Sequence, residues 1–326
     1  MDLSTTYMGL KLKNPIIVSS SKLTNNIGNI KKCADQGAGA IVLKSLFEEQ
    51  LLADADKLMD QDDKYFWFPE AVDFINKYSK EYGVKEYLEL IREAKKMTGI
   101  PILGSINCST PNEWPKFAKN LEEAGLDGLE LNISIFPFDA NVTSKTIEDR
   151  YVEIIEAVKA HVSIPVSVKI GACFTNLMQM VSRLSEAGAD AVVLFNRYYR
   201  PDIDIDTGKI HRDNYFSAPE EITQSLRWVS LLSNKVKCDI AANTGIHNAE
   251  GVIKQLYAGA SATQICTTLY KNGIGVISSI LFDIKNWMEK NAVESIGEFQ
   301  GSVASREENL AAFERVQFMK KTLTEE

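Results

Sequence analysis

Short apolar segments and longer amphipathic segments alternate along the chain. Four apolar segments share one pattern, in which a helix end leads through a glycine into a buried strand: "DQGAGAIVLK", "EEAGLDGLELN", "SEAGADAVVLFN" and "LYAGASATQICT". A glycine suits the left-handed residue that follows a helix, and a continuous apolar run is typical of a strand covered on both faces. The repeats therefore predict parallel strands beneath helices.

Four further apolar strands lie between these repeats, at 15–21, 100–107, 164–171 and 237–245. Proline at a strand start costs no ladder hydrogen bond, so the prolines at three of these starts are compatible with strands. Amphipathic stretches with apolar residues at helical spacing separate the strands, at 26–36, 84–97, 112–124, 147–161, 175–187, 220–234, 248–258 and 271–290. Eight strand–helix units in one continuous domain predict a (β/α)8 TIM barrel.

A doubly wound sheet uses the same units, and two observations favour the barrel over it. No G-x-G-x-x-G follows the first strand, and the units show no break into halves. We expect a single domain over 1–326 with two inserts, at 46–83 and 197–219, and a helical tail from about residue 292. Both inserts follow strand C-termini, the face where barrels hold their active sites, which predicts lids or partner surfaces.

Composition narrows the partner to a small molecule. The chain has 326 residues, 45% of them hydrophobic, and a net charge of −8, which argues against nucleic acid or an anionic membrane as the main partner. There is no run of 18 apolar residues, and the first residues lack a signal-peptide pattern, so we expect a cytoplasmic protein. The five cysteines and three histidines show no ligand spacing, so we expect no metal.

Polar residues end nearly every predicted strand, and in a barrel these ends converge on one cavity. Lys44 and Lys169 are the most informative, because a buried ammonium costs several kcal/mol unless an anion or a strong acceptor meets it. A structural salt bridge is the alternative, although no Asp or Glu ends a neighbouring strand. The glycine turn "ANTGIHNAEG" and the threonines of "CTTLYKNG" follow strands seven and eight, where many barrels bind phosphate, although an ordinary turn also favours these residues.

In this order, the motifs resemble the FMN-containing dihydroorotate dehydrogenases, class 1 in particular. The resemblance covers nearly the whole chain, through "TTYMGLKLKNPIIVSSS", "VLKSL", "LELNIS", "VSVKIG", "VLFNR", "ANTGI" and "QICTTLYKNG". It implies an FMN at the barrel mouth, with Lys169 beside the N1/O2 edge, where a fixed cation would stabilise the reduced ring. It also implies a homodimer and a role in pyrimidine biosynthesis.

The resemblance assigns the remaining site residues to three groups. Ser20 and Ser21 would flank the flavin while Lys44 and Ser45 reach its ring. The strand-end asparagines, Asn107, Asn132 and Asn196, would bond polar edges of flavin or substrate. The phosphate would be surrounded by Ser217, Thr244, Gly245, Thr267 and Thr268.

One loop departs from the family pattern. The class 1 loop after strand four reads N-x-S-C-P-N, and its Cys takes a proton from the substrate; this chain has Ile135 there and Phe138 in place of the last Asn. Isoleucine accepts no proton. Ser134 is expected to be a hydrogen-bonding residue and Cys173 a small packing residue, rather than replacement bases. "LELNI" without Cys, together with "VLFNRYYRPDIDIDTG", matches a dihydroorotate dehydrogenase-like branch of the family.

Three functional hypotheses remain. The leading one is an FMN oxidoreductase resembling dihydroorotate dehydrogenase, with Lys44, Asn132, Ser134 and Lys169 as its catalytic residues. The second is a flavoprotein that acts on another substrate or passes electrons to a partner protein docked on the inserts; no cysteine spacing indicates an Fe–S cluster in this chain. The third is a phosphate-binding barrel enzyme without flavin.

Overall fold

Eight parallel strands close into a barrel in the computed structural model, which confirms the predicted (β/α)8 fold. Each strand pairs with the next, and the eighth pairs with the first. The structure describes residues 1–47, 69–107, 113–135, 139–198, 202–211 and 216–304, with the backbone alone for 69–82 and 211. The strands are β1 Ile16–Val18, β2 Ala40–Val42, β3 Ile102–Asn107, β4 Gly128–Asn132, β5 Val166–Ile170, β6 Ala191–Leu194, β7 Asp239–Asn243 and β8 Ala262–Ile265.

Helices surround the barrel close to the predicted positions. Their bounds are Ile27–Asp35, Pro69–Thr98, Glu113–Glu123, Ser144–Lys159, Leu177–Glu186, Ile222–Leu232, Ala249–Ala258, Thr267–Asn272 and Val276–Lys290. Several begin at a side-chain cap; Asn248, for example, accepts the backbone N–H of Gly251 at 2.9 Å. The helix predicted over 271–290 is two helices, because Gly273 adopts a φ of 79° and ends the first.

The inserts differ from the expectation in their extent. The helix predicted to begin at residue 84 begins at Pro69, inside the predicted insert 46–83, and a short strand, Leu46–Phe47, continues along β3. The insert 197–219 contains an antiparallel hairpin of Asp202–Ile203 and Ile210–His211. Residues 48–68, which include the aromatic run at 65–68, and residues 305–326 of the predicted tail lie outside the described residues.

A hairpin that the sequence reasoning did not predict closes the N-terminal end of the barrel. Its strands, Thr5–Tyr7 and Leu10–Leu12, are joined by a turn in which Gly9 has a φ of 73°. Tyr7 is fully buried against the side chains inside the barrel, and the Met8 N–H donates to Asp239 Oδ2 at 2.7 Å. In the described residues, the hairpin therefore closes the barrel at the N-terminal ends of its strands.

The repeat pattern sets which side chains point inwards. Counting from the glycine of each repeat, the fifth following residue is Val42, Glu130, Val193 or Gln264. The two valines belong to the apolar cluster inside the barrel, and the two polar residues are buried and hydrogen-bonded to one another. Alternation along the strands therefore places a buried carboxylate and a buried amide in a layer that is otherwise apolar.

Two of the repeats each contain an aspartate that accepts a hydrogen bond from the start of a preceding strand. Asp127 accepts the backbone N–H of Ile102 at 2.7 Å and pairs with Lys95 at 2.6 Å. Asp190 does the same with the N–H of Val166 and with Lys159, both at 2.7 Å. Each aspartate thus joins a strand start to the helix before it.

We expect Asp127→Ala to lower the free energy of unfolding by about 1 to 3 kcal/mol, because it leaves the Ile102 N–H and the Lys95 ammonium without their acceptor. Urea unfolding followed by circular dichroism measures the change. The matched control is Asp35→Ala, which removes an exposed pair with Lys31 and should cost less than about 1 kcal/mol. Equal losses in the two variants would contradict this role.

Candidate active site

A cavity of about 190 Å3 lies where strands β1 and β5 to β8 end. Seven of the residues expected from the sequence line it: Ser20, Lys169, Asn196, Ser217, Thr244, Gly245 and Thr267. Ser19, Arg197, Asn243, Ile246, Gln264 and Cys266 complete the wall. The predicted convergence of strand ends is thus observed in the described part of the chain.

Lys169 is the buried cation of this cavity, with 6% of its surface exposed. Its Nζ donates to Ser19 Oγ and to Gln264 Oε1, each at 3.0 Å. Glu130 Oε1 lies 3.6 Å from the same nitrogen. The expectation that Lys169 has no acidic partner is therefore wrong, because the partner sits within strand β4 rather than at its end.

Glu130 was missed because it lies in an apolar strand, "LELN", that ends in a more conspicuous asparagine. A signal was present, since the repeats place Glu130 and Gln264 at the same position, where the other two repeats have valine. The structure shows that Gln264 Nε2 donates to Glu130 Oε2, and that Glu130 is completely buried. Ser19, Gln264, Lys169 and Glu130 form one hydrogen-bonded and charged network.

The asparagines that end strands β4 and β6 bind one another. Asn196 Nδ2 donates to Asn132 Oδ1 at 2.8 Å, and the Asn196 backbone N–H donates to Ile170 O, also at 2.8 Å. Amide groups offer both donors and acceptors, which suits the mixed edges of a heterocyclic ring. Asn107 is half-buried at the end of β3, where residues 108–112 lie outside the described part.

The turn after β7 brings backbone into the cavity. Thr244 and Gly245 both have left-handed backbone conformations, with φ of 74° and 76°. A Cβ at Gly245 would lie 2.2 Å from the backbone nitrogen of Ile222, so the turn packs directly on the start of that helix. Thr244 Oγ1 donates to Phe195 O at 3.1 Å. Only glycine fits at this position of the turn.

Two residues near this turn were not expected from the sequence. His247 Nε2 lies 3.1 Å from Ser217 Oγ, and Lys271 Nζ donates to Ser217 O at 3.2 Å. Burial, and then the charge of Lys271, lower the pKa of His247 below its ordinary value. The sequence offered no signal for either residue, because the histidines lack ligand spacing and neither residue ends a strand.

The side chains of two of the expected cofactor residues form local hydrogen bonds. Thr268 is completely buried, and its Oγ1 donates to His247 O at 3.0 Å. Ser21 Oγ accepts the backbone N–H of Leu23 at 3.2 Å and caps a short 3-10 helix, Lys22–Asn25. Neither side chain is part of the cavity wall.

Lys44 and Ser45 lie on a different cleft from Lys169. That cleft has a volume of about 510 Å3, and its wall includes Glu86, Glu89 and Glu93 of the second helix. Ser45 also connects to the main cavity, since its N–H donates to Ser20 Oγ at 2.9 Å.

The loop after β4 is apolar where the class 1 pattern has its base. Ile135 lines a separate cavity of about 150 Å3 with Tyr151, Phe174 and Tyr198. The Ile135 N–H donates to Tyr151 Oη over a long 3.4 Å, and burial raises the pKa of Tyr151 well above its usual range. Residues 136–138, including Phe138, lie outside the described part.

Three residues near the loops after β4 and β5, Ser134, Cys173 and Asp139, could be considered as replacement bases, and none of them lines the cavity with Lys169. Ser134 is half-buried, and Asp139 is exposed. Cys173 is exposed too and lines the Ile135 cavity, so the expectation that it is a packing residue is wrong. None of these three residues, then, is part of the wall of the Lys169 cavity.

The described residues contain neither a cluster of metal ligands nor a membrane-spanning helix. No group of three or more His, Cys, Asp or Glu side chains is placed to hold a metal ion. No helix in this part of the chain has the length and apolarity needed to cross a membrane.

Comparisons with known proteins identify the family of the chain. The family model described as dihydroorotate dehydrogenase matches residues 2–288. The catalytic subunit of dihydroorotate dehydrogenase B (NAD(+)) from Thermoplasma volcanium is 29% identical over 94% of this chain and 99% of its own length. The subunit of the same name from Thermoplasma acidophilum is 28% identical over 92% of this chain and 98% of its own length. The one from Methanocella arvoryzae is 29% identical over 89% of this chain and 94% of its own length. The chain belongs to the dihydroorotate dehydrogenase family.

Proposed function

We propose that the protein is an FMN-dependent oxidoreductase of the dihydroorotate dehydrogenase type, acting on a CH–CH group. The observation that carries the proposal is the buried Lys169 ammonium, which two acceptors hold at the wall of a cavity formed by strand ends. A buried cation of this kind suits a ligand that becomes negatively charged during the reaction.

The residues present fit FMN in both of its parts. For the phosphate, the Thr244–Gly245 turn lies in the cavity wall beside the hydroxyls of Ser217 and Thr267, and Gly245 lets this turn pack on the start of the helix Ile222–Leu232. For the ring, Lys169 would face the N1/O2 edge, and the Asn132–Asn196 pair would bond its polar edges or those of the substrate. FMN would supply hydride acceptance from a substrate carbon and donation to a second substrate.

The identity of the substrate depends on the loop after β4. The names of the relatives supply dihydroorotate as the candidate, which would place this protein in pyrimidine biosynthesis. Against it stands Ile135, since an alkyl side chain cannot take the proton that leaves carbon as the hydride departs. The alternative is a flavoprotein with another substrate, or one that passes electrons to a partner protein, which the word "subunit" in those names also supports. A homodimer and a cytoplasmic location stay predictions.

Anaerobic mixing of the FMN-loaded protein with dihydroorotate tests the proposal. Loss of the flavin absorbance within seconds at neutral pH is expected if the family reaction is retained. Slow or no bleaching, with full bleaching by dithionite, would select the alternative substrate. A protein that binds no FMN would refute both.

We expect Lys169→Ala to weaken FMN binding at least tenfold, because the cavity loses its cation and the acceptors on Gln264 and Ser19 lose their donor. Fluorescence quenching of free FMN measures the affinity. The control is Lys159→Ala, which removes an ion pair with Asp190 on the outer part of the fold and should leave FMN affinity within about twofold.

We expect Gly245→Ala to abolish or strongly weaken FMN binding, because a Cβ there collides with the Ile222 backbone. Gly208→Ala is the matched control, since Gly208 also has a positive φ, of 64°, but has open space around it. The control should cost about 1 to 2 kcal/mol of stability from its left-handed backbone and leave FMN affinity unchanged. Equal effects of the two substitutions on FMN affinity would argue against a phosphate site at this turn.

A further inference from the structure

We propose that Glu130 is a positioning residue for the cofactor: it acts through Gln264 to fix the Lys169 ammonium, and its charge lowers the reduction potential of the bound flavin. The inference rests on the FMN binding proposed above. It concerns a residue beneath the cavity, which does not line the wall itself.

The position of Glu130 is costly for a carboxylate. Its side chain is completely buried in a layer where the other repeats have Val42 and Val193. Replacing a buried ion pair by apolar groups of similar volume is often neutral or stabilising, so stability alone gives little reason for a charge here. Buried charges at the edge of a cavity are more often associated with function.

Hydrogen-bond chemistry makes Gln264 the link between Glu130 and Lys169. An ionised carboxylate only accepts hydrogen bonds, so Gln264 must turn its Nε2 towards Glu130. The amide oxygen then faces the other way, where it accepts from Lys169 Nζ at 3.0 Å and from Ser19 Oγ at 3.1 Å. A glutamine at 130 could still accept from Gln264 Nε2 through its own amide oxygen, so Glu130→Gln removes the charge and keeps this hydrogen bond.

The network uses two of the three N–H donors of the ammonium. Lys169 donates to Gln264 Oε1 and to Ser19 Oγ, and these acceptors come from β8 and from the residue after β1. The third N–H remains for a group inside the cavity that Lys169 lines. Glu130 thereby keeps the cation in one place before any ligand arrives.

The charge of Glu130 also offsets that of Lys169. Its Oε1 atom lies 3.6 Å from Nζ, in a region with little water to screen the interaction. A lone cation would favour the reduced, more negative cofactor more strongly than this pair does. Glu130 therefore holds the reduction potential below the value that Lys169 alone would set.

The test is the reduction potential of the FMN-loaded Glu130→Gln variant, measured by dye equilibration. We expect the affinity for reduced FMN, relative to oxidised FMN, to rise at least tenfold, which is about 30 mV for a two-electron couple. Glu130→Asp keeps the charge and should stay within threefold of the wild-type ratio. The matched control is Ser167→Ala, which removes a buried neutral group whose hydroxyl donates to Leu129 O at 3.3 Å, and it should leave the potential unchanged.

The outcomes separate this inference from the proposed function. Wild-type protein without bound FMN would overturn both, whereas bound FMN with an unmoved potential in Glu130→Gln would overturn only the role proposed for Glu130. An equal shift in Ser167→Ala would also overturn it. If Glu130→Gln does not fold, Gln264→Leu keeps the carboxylate but breaks the link, and FMN binding weakened less than tenfold would count against the role.

Discussion

The site depends on one buried interaction, the contact of the Lys169 ammonium with the groups below it. A lysine inside a barrel is stable only if its charge and its N–H donors are met, and the interior of this barrel meets them with Gln264, Ser19 and Glu130. These three partners come from β8, from the residue after β1 and from β4. The closed barrel is therefore a condition for the cation, because no pair of neighbouring strands supplies all of the partners.

The surrounding architecture exposes the Lys169 network at one end of the barrel, the end where the strands have their C-termini. The N-terminal hairpin fills the lower end of the barrel with Tyr7 and Met8. In the described part of the chain, a ligand therefore reaches the Lys169 network from the C-terminal ends of the strands. There, a backbone turn fixed by Gly245 packs on a helix start and is the natural place for a phosphate. A flavin held at both ends would thus meet a rigid turn and a fixed cation.

Cofactor binding and proton transfer depend on different parts of this mouth. Most of the features that suit FMN come from β1 and β5 to β8, with Asn132 at the end of β4, while the proton acceptor of class 1 enzymes belongs to the loop after β4. In this chain that loop carries Ile135, which packs in an apolar cavity beside Tyr151 rather than facing Lys169. A family member can therefore keep the cofactor site while the chemistry at the neighbouring loop changes.

The sequence by itself determined the barrel, because glycine turns, buried strands and amphipathic helices recur with a period that only parallel strand–helix units explain. It also determined that Lys169, Asn132 and Asn196 end strands at a common mouth. Only the tertiary structure decided which side chains meet: it placed Glu130 beneath Lys169, moved Lys44 to another cleft and committed Thr268 to a buried hydrogen bond. The physical reason is that alternation along a strand fixes which face a residue occupies, whereas contacts across the barrel depend on closure and register between strands far apart in sequence.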